Sequence, residues 1–124
     1  MTTAAATVVL VAHGSRIDEA NAAHRTLVAA LAQRTGSQVM PAFLELTEPD
    51  VPSAIDAAVA SGAQRIVVLP YFLLPGAHTS RDIPAIIESA RGRHPHVELT
   101  QAPHLGADPA LLDALAAQVE QLDV

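Results

Sequence analysis

The chain has 124 residues, half of them apolar, and carries a formal charge of −6 from 13 acidic and seven basic residues. A chain of this length folds as one domain that buries roughly two thirds of its unfolded surface, so it needs no cross-links. It lacks Cys, which excludes disulfides and thiolate metal sites, and it lacks Lys, which excludes Schiff-base chemistry and a Walker-type phosphate loop. The acidic balance and the scarcity of aromatic residues argue against a nucleic-acid partner.

Two apolar segments have the hydrophobicity, but not the other features, of targeting or membrane signals. The first, "MTTAAATVVLVA", has no basic residue before it and meets His13 too soon for a signal peptide. The second, "IVVLPYFLLPGA", is interrupted by Pro70 and Pro75 and is too short to span a bilayer. The sequence therefore predicts a soluble, cytoplasmic protein with no membrane partner.

The first half of the chain predicts two strands and a long helix between them. Thr7–Ala12 is rich in Val and Leu and predicts a strand buried on both faces, and Asp18–Arg34 predicts a helix that ends at Gly36. The apolar positions at helical spacing are Ala20, Ala23, Leu27, Ala30 and Leu31. Gln38–Leu46 predicts a second strand, and Pro41 predicts that this strand lies at an edge because proline cannot donate to a ladder.

The second half of the chain continues the alternation. The predicted elements are a helix over Asp50–Ser61 capped by Asp50, a strand over Gln64–Pro70, a helix over Arg81–Arg91, a strand over Val97–Ala102 and a helix over Pro109–Leu122. The last helix places Leu112, Leu115, Val119 and Leu122 on one face. Four strand–helix units predict a single α/β domain over residues 1–124, with a parallel sheet of order 2-1-3-4 and helices on both faces.

Polar side chains follow the strands at the edge where open parallel sheets bind ligands. His13 follows the first strand, Glu45 ends the second, His78 follows the third and His104 follows the fourth, with Glu48 a further candidate. Imidazole and carboxylate are suited to first-row divalent metals, and a neutral imidazole also accepts a proton near neutral pH. The sequence therefore predicts a site for metal and proton handling at His13, His78 and Glu45.

Further residues near these positions predict contacts with an anionic or flat ligand. Arg16 and Arg81 flank the two histidines and are suited to carboxylate or phosphate, unless they are surface charges paired with neighbouring acidic residues. Ser15, Thr79 and Ser80 are candidates to cap helices and to present backbone amides to an anion.

The aromatic residues and the remaining histidines receive different predictions. Tyr71 is a candidate to line a flat ligand, whereas Phe43 and Phe72 are predicted to pack in the core. The three histidines away from the strand ends are predicted to be ordinary surface residues: His24, His94 and His96.

Four stretches together resemble a known family. They are "VLVAHGSR", "PAFLELTEP", "RIVVLPYFLLPGAHTSRDIP" and "LGADPAL", and they span nearly the whole chain. They are similar to the short CbiX-type sirohydrochlorin chelatases, which belong with the class II, ATP-independent chelatases. The resemblance implies insertion of Co²⁺, Fe²⁺ or Ni²⁺, as a substrate, into sirohydrochlorin on routes to cobalamin, sirohaem or related tetrapyrroles, with no nucleotide.

The resemblance also assigns residues and an assembly. It implies that His13 and His78 handle the metal and that Glu45 is the acidic residue of the family's "FLEL" segment. The short form corresponds to one half of a two-lobed chelatase, which implies a homodimer with the tetrapyrrole in a cleft built by both subunits. The chain departs from the family at "PHLGADP", where Ala107–Asp108 stands in place of a frequent histidine after the glycine.

The residues support this chemistry and leave alternatives open. Metal insertion expels two pyrrole N–H protons, so a metal ligand and a proton acceptor must lie close together. A metal or tetrapyrrole carrier without turnover would use the same residues. A receiver-type signalling domain shares the fold class, but it needs an acidic cluster after the first strand and a later Lys, which this chain lacks. The sequence selects neither the metal nor which histidine takes the proton.

Overall fold

A computed structural model of the chain describes residues 6–76 and 81–122. Its strands are β1 (Thr7–Ala12), β2 (Val39–Phe43), β3 (Arg65–Pro70) and β4 (Glu98–Gln101). Its helices are α1 (Asp18–Thr35), α2 (Val51–Ala60), α3 (Ile83–Arg93) and α4 (Pro109–Gln121), with a 3₁₀ turn at Leu105–Ala107 before the last. All strand pairs are parallel and the order is β2-β1-β3-β4, which confirms the predicted α/β class and strand order.

The edge strand β2 is shorter than its sequence predicts. Pro41 lies opposite Leu10 of β1 at this edge, as expected for a residue without an amide donor. The strand ends at Phe43 rather than Leu46, although the Leu44 and Glu45 amides still donate to the carbonyl oxygens of Ala12 and His13. The Phe43 amide donates to the Pro49 carbonyl oxygen (2.9 Å). The chain between them leaves the sheet as a loop and returns to α2.

Local hydrogen bonds define the helix ends. Gly36 ends α1 with a positive φ of 70°, as predicted. The Asp50 carboxylate caps α2 by accepting from the Ser53 amide (2.8 Å), and hydrogen bonds from Ser53 lower the pKa of Asp50. Asp108 caps α4 by accepting from the Ala110 amide (2.9 Å). Helix α3 begins at Ile83, two residues after the predicted start, and continues to Arg93.

The hydrophobic core lies between one face of the sheet and helices α2 and α3. Val9 and Val11 of β1 and Val68 of β3 are fully buried there. Residues that alternate with them, such as Leu10 and Leu69, point to the opposite face, where α1 packs. Helices therefore pack on both faces of the sheet, as predicted.

The inner face of α1 differs from the prediction. Its buried residues are Asn21, His24 and Val28. The alanines at helical spacing, together with Leu27, are exposed, and Leu31 is half-buried. Alanine side chains lose little by facing water, so an Ala-rich helix does not reveal its buried face through hydrophobic spacing.

Helix α4 has the predicted apolar face, but this face is not covered. Leu112, Leu115, Val119 and Leu122 are exposed by 70%, 55%, 55% and 69%, and α4 contains no buried residue. Among residues 6–76 and 81–122, no helix is both long and apolar enough to cross a membrane.

Candidate active site

The chain segments after β1 and β2 run side by side and bring His13 next to Glu45. The Leu44 amide donates to the Ala12 carbonyl oxygen (3.0 Å), and the Glu45 amide donates to the His13 carbonyl oxygen (3.1 Å). His13 Nε2 lies 3.0 Å from Glu45 Oε1, and both side chains are about half exposed. The pair therefore stands at the carboxyl edge of the sheet with access to solvent.

Gly14 makes this close approach possible. Its φ is +97°, a conformation that side chains disfavour. A Cβ at this position would fall on the Glu45 carbonyl oxygen. The "HGS" turn therefore requires glycine for conformation and for space.

The pair combines one nitrogen and one oxygen ligand of the type that Co²⁺, Ni²⁺ and Fe²⁺ accept. Within the described residues no group of three His, Cys, Asp or Glu side chains is placed to hold a metal. The predicted second histidine, His78, lies outside the described residues, as do Thr79 and Ser80.

Ser15 does not play the predicted capping role. Its amide donates to Asn21 Oδ1 (3.0 Å), and Asn21 Nδ2 donates to the Ser15 carbonyl oxygen (2.7 Å). The Ser15 hydroxyl accepts from the Ile17 amide (3.0 Å), and α1 begins after Ile17 without a side-chain cap. The prediction that Ser15 caps α1 and offers its amide to an anion is wrong, because Asn21 already binds that amide.

His24 is a core residue, and its predicted surface position is wrong. It is 5% exposed, and its Nε2 donates to the Leu10 carbonyl oxygen (2.9 Å). Its ring packs edge-on against Phe43 (5.2 Å) and stacks on Tyr71 (5.9 Å, 23°). Burial lowers the pKa of His24, the adjacent Arg25 charge lowers it further, and the bond to Leu10 opposes both. His24 is therefore neutral at neutral pH.

The other two histidines predicted for the surface differ from each other. His96 is exposed, as predicted. His94 is half-buried, with Nε2 2.8 Å from Asp56 Oδ1, and Arg93 contacts the same oxygen at 3.1 Å. Hydrogen bonding to His94, followed by Arg93, lowers the pKa of Asp56.

Arg25 positions the loop that carries Glu45. Its Nη2 donates to the Glu48 carbonyl oxygen (2.8 Å), and its guanidinium lies 5.0 Å from the Phe43 ring centroid. The sequence pattern predicts Glu48 only as a possible ligand and predicts no role for Arg25 or Asn21. The only signal in the sequence was the presence of polar residues on a helix directly after the His13 turn.

Large apolar side chains are exposed in the loops that follow the first three strands. We call these residues the apolar rim: Ile17, Leu46, Leu73 and Leu74. Tyr71, 43% exposed, lies beside them at the end of β3, where its amide donates to the Val11 carbonyl oxygen (2.8 Å). Phe72 is half-buried and its ring contacts that of His13 edge-on at 6.5 Å. A flat apolar ligand beside His13 would bury this exposed surface.

The other residues that the sequence singles out have no contact with the His13–Glu45 pair among the interactions described above. Arg16 and Arg81 are exposed, in the segments that follow β1 and precede α3. Phe43 is fully buried, as predicted. His104 is half-buried and lines a cavity of about 490 Å³ with Leu69 and Leu105, whereas neither His13 nor Glu45 lines that cavity.

The family can be assigned from the whole chain. The model of the CbiX family matches residues 7–122. The chain belongs to the CbiX family. It is 34% identical over 116 residues to the sirohydrochlorin cobaltochelatase of Priestia megaterium, covering 92% of this chain and 37% of that protein. It is 33% identical to the chloroplastic sirohydrochlorin ferrochelatase of Arabidopsis thaliana, covering 91% of this chain and 51% of that protein.

CbiX-family relatives exist in two lengths. The chain spans about half the length, or less, of the Priestia and Arabidopsis proteins. In contrast, the sirohydrochlorin cobaltochelatase of Methanothermobacter thermautotrophicus is 30% identical, with 91% of this chain matching 90% of that protein. The same activity name therefore belongs to relatives of about this length and to relatives roughly twice as long.

Solved structures that resemble this chain show the same division. A CbiX protein of Marinobacter aquaeolei VT8 superposes with a TM-score of 0.81 at 28% identity, covering 93% of this chain and 94% of that one. SirB from Bacillus subtilis, solved with Fe³⁺, gives a TM-score of 0.86 at 28% identity, covering 98% of this chain and 48% of that one. One copy of this fold thus corresponds to about half of SirB.

Proposed function

We propose that this chain inserts a divalent metal, Co²⁺, Fe²⁺ or Ni²⁺, into sirohydrochlorin without a nucleotide. The observation that carries the proposal is the His13–Glu45 pair, 3.0 Å apart at the carboxyl edge of the sheet, in a chain of the CbiX family. Relatives of the chain are named sirohydrochlorin cobaltochelatases and ferrochelatases, so the substrates are proposed by that kinship.

The proposed reaction exchanges one M²⁺ for two pyrrole protons, so the charge of the macrocycle is unchanged. His13 and His78 bind the incoming metal through imidazole nitrogens and release it to the pyrrole nitrogens. One imidazole, once it has released the metal, takes the two pyrrole protons in turn. The Glu45 carboxylate, within hydrogen-bond distance of His13 Nε2, stabilises each imidazolium and passes each proton to solvent.

The surroundings of the pair support a flat, carboxylate-bearing substrate. The apolar rim and Tyr71 offer exposed apolar surface beside His13 for the macrocycle. Arg16 and Arg81 are exposed and are suited to peripheral carboxylates. The hydroxyls of Ser15, Thr79 and Ser80 are further proposed contacts, whereas the Ser15 amide is already bonded to Asn21.

The proposed working form is a cytoplasmic homodimer with no nucleic-acid partner and no membrane partner. This chain corresponds to one half of SirB by structural coverage. A second copy would supply the other half of the cleft.

The test is the rate of metal insertion in His78→Ala. Sirohydrochlorin absorbance is followed with Co²⁺ or Fe²⁺, with and without protein. We expect the wild type to accelerate insertion and the variant to lose at least about 10²-fold, because proton transfer and metal delivery both fail. His96→Ala, at an exposed position, is the matched control and keeps full activity.

Two outcomes would overturn the proposal. Full insertion activity in a folded His78→Ala variant removes His78 from the mechanism. Tetrapyrrole or metal binding by the wild type at an unchanged insertion rate identifies a carrier instead of an enzyme. Kinetic competition between Co²⁺, Fe²⁺ and Ni²⁺ then identifies the preferred metal.

A further inference from the structure

Helix α4 is amphipathic and has no partner for its apolar face in the described structure. Its stripe of Leu112, Leu115, Val119 and Leu122 is more than half exposed at every position. Its main contacts within the described residues are with the neighbouring 3₁₀ turn and not with the sheet. A helix of 13 residues is marginal in water by itself, so its stability depends on covering this stripe.

A complementary surface is open on the same chain. Helix α1 packs on the β2 side of its sheet face, and no other helix in the described residues has main contacts over β3 and β4 on that face. Val67 and Leu69 of β3, which alternate with the core residues, are left only half-buried. Together with Leu27 and Leu31 of α1 we call these residues the β3 groove. Leu27, Leu31 and Leu69 line a cavity of about 240 Å³ there.

The lengths of the relatives indicate what covers the groove. A cobaltochelatase of about this chain's length and one more than twice as long carry the same activity name. SirB contains, beside the half that superposes on this chain, a second half of similar size. A second copy of this chain would supply a second half of that size, and two identical copies related by a two-fold axis meet through a self-complementary interface.

We propose that α4 of each subunit packs its apolar stripe into the β3 groove of a second copy of the chain. This inference rests on the homodimer of the proposed function and specifies its contact. The exchange is reciprocal, so both stripes and both grooves are buried in one closed dimer. The leucines of the α4 stripe in one subunit then contact the leucines of the β3 groove in the other, and burial of these side chains drives association.

The first test places a charge on the stripe. Leu115→Asp is expected to weaken dimerisation at least about 100-fold in sedimentation equilibrium, because a carboxylate would be buried in an apolar groove. Ala117→Asp adds the same charge on the other side of α4 and is expected to leave the dimer intact. A monomeric wild type, or a dimer insensitive to Leu115→Asp, overturns the proposal.

The second test distinguishes exchange from folding of α4 onto its own sheet. The chain has no Cys, so a Leu69→Cys/Leu115→Cys variant contains only the introduced thiols. We expect oxidation to link two chains, giving twice the monomer mass of 12.9 kDa in a denaturing gel without reductant. A disulfide within one chain, or none, overturns the exchange. Metal insertion is measured on the same samples, since a monomer that still inserts metal leaves the proposed reaction standing and overturns only the proposed dimer.

Discussion

His24 is a titratable residue that the native structure keeps neutral. Burial beneath Phe43 and Tyr71 lowers its pKa below the ordinary value of 6.5. Just below pH 6.5 the unfolded chain therefore binds more protons at this residue than the native chain does. Stability must fall as the pH drops through this value, and well above it the group makes no pH-dependent contribution.

We expect His24→Gln to remove this acid sensitivity. Glutamine can still donate to the Leu10 carbonyl oxygen but does not titrate. Near pH 7.5 the variant should lose about 1–3 kcal/mol through poorer packing against the two rings. Urea unfolding near pH 7.5 and pH 5 should show a smaller loss on acidification for the variant than for the wild type. His96→Gln is the control, and parallel pH curves for wild type and His24→Gln would contradict the argument.

At the scale of elements, the contact between the loops after β1 and β2 depends on one glycine. Gly14→Ala would put a Cβ onto the Glu45 carbonyl oxygen, so the two loops must separate. Gly62→Ala is a matched control, because Gly62 has nearly the same φ (98° against 97°) but nothing within 4 Å of an added Cβ. The difference between the two variants isolates the effect of the close approach.

We expect Gly62→Ala to cost about 1 kcal/mol, from backbone strain alone, and Gly14→Ala to cost at least about 2 kcal/mol more. Urea unfolding measures both. Amide exchange at Glu45 should also accelerate only in Gly14→Ala, because its bond to the His13 carbonyl oxygen is broken. Equal stabilities for the two variants would show that the loops can move apart without cost.

The strands and helices also show which features the sequence pattern predicts correctly and which it does not. The sequence predicts both ends of β1 correctly. Its run of Val and Leu stops at the polar His13 and shows no helical spacing that would favour a helix instead. The apolar pattern overextends β2, because Leu44 and Leu46 continue it past Phe43, where the strand ends. The buried face of α1 was missed because its contacts are hydrogen bonds of Asn21 and His24, which hydrophobic spacing does not register.

The sequence predicts one part of the candidate site, the meeting of His13 and Glu45, but not the residues that support it. Parallel topology requires that His13 and Glu45 meet at one sheet edge, and the structure brings them to 3.0 Å. The roles of Asn21 and Arg25 depend on backbone atoms of distant loops, which no spacing in the sequence encodes.

At the scale of the whole molecule, the charge of −6 acts oppositely on the two proposed substrates. A divalent cation is attracted from a distance and a polycarboxylate is repelled, and salt screens both effects as the Debye length shortens from ~30 Å at 0.01 M to ~8 Å at 0.15 M. The proposed attraction of Arg16 and Arg81 for the tetrapyrrole would act only at short range.

We therefore expect opposite salt responses in steady-state kinetics. Between about 10 mM and 150 mM salt, kcat/KM for the metal should fall and kcat/KM for sirohydrochlorin should rise, each by about 2-fold or more. Measurement with one substrate saturating and the other limiting separates the two. If both decrease together, the local arginines govern tetrapyrrole capture and the net charge does not.

The sequence predicts the strand order of the whole domain, but it does not predict what packs against α4. Strand–helix alternation and Pro41 were sufficient for the strand order. The stripe of α4 was also visible, but a stripe states only that a helix face needs cover and not whether the same chain supplies it.

The backbone bonds that join the loops of His13 and Glu45 also bear on how this site can change over time. Because main-chain atoms and Gly14 set the separation of the two positions, the side chains at 13 and 45 contribute little to the loop geometry. Substitutions there can alter ligand chemistry without a new fold. Such a scaffold allows metal preference to diverge through small steps, in keeping with relatives named for cobalt and for iron that share one family.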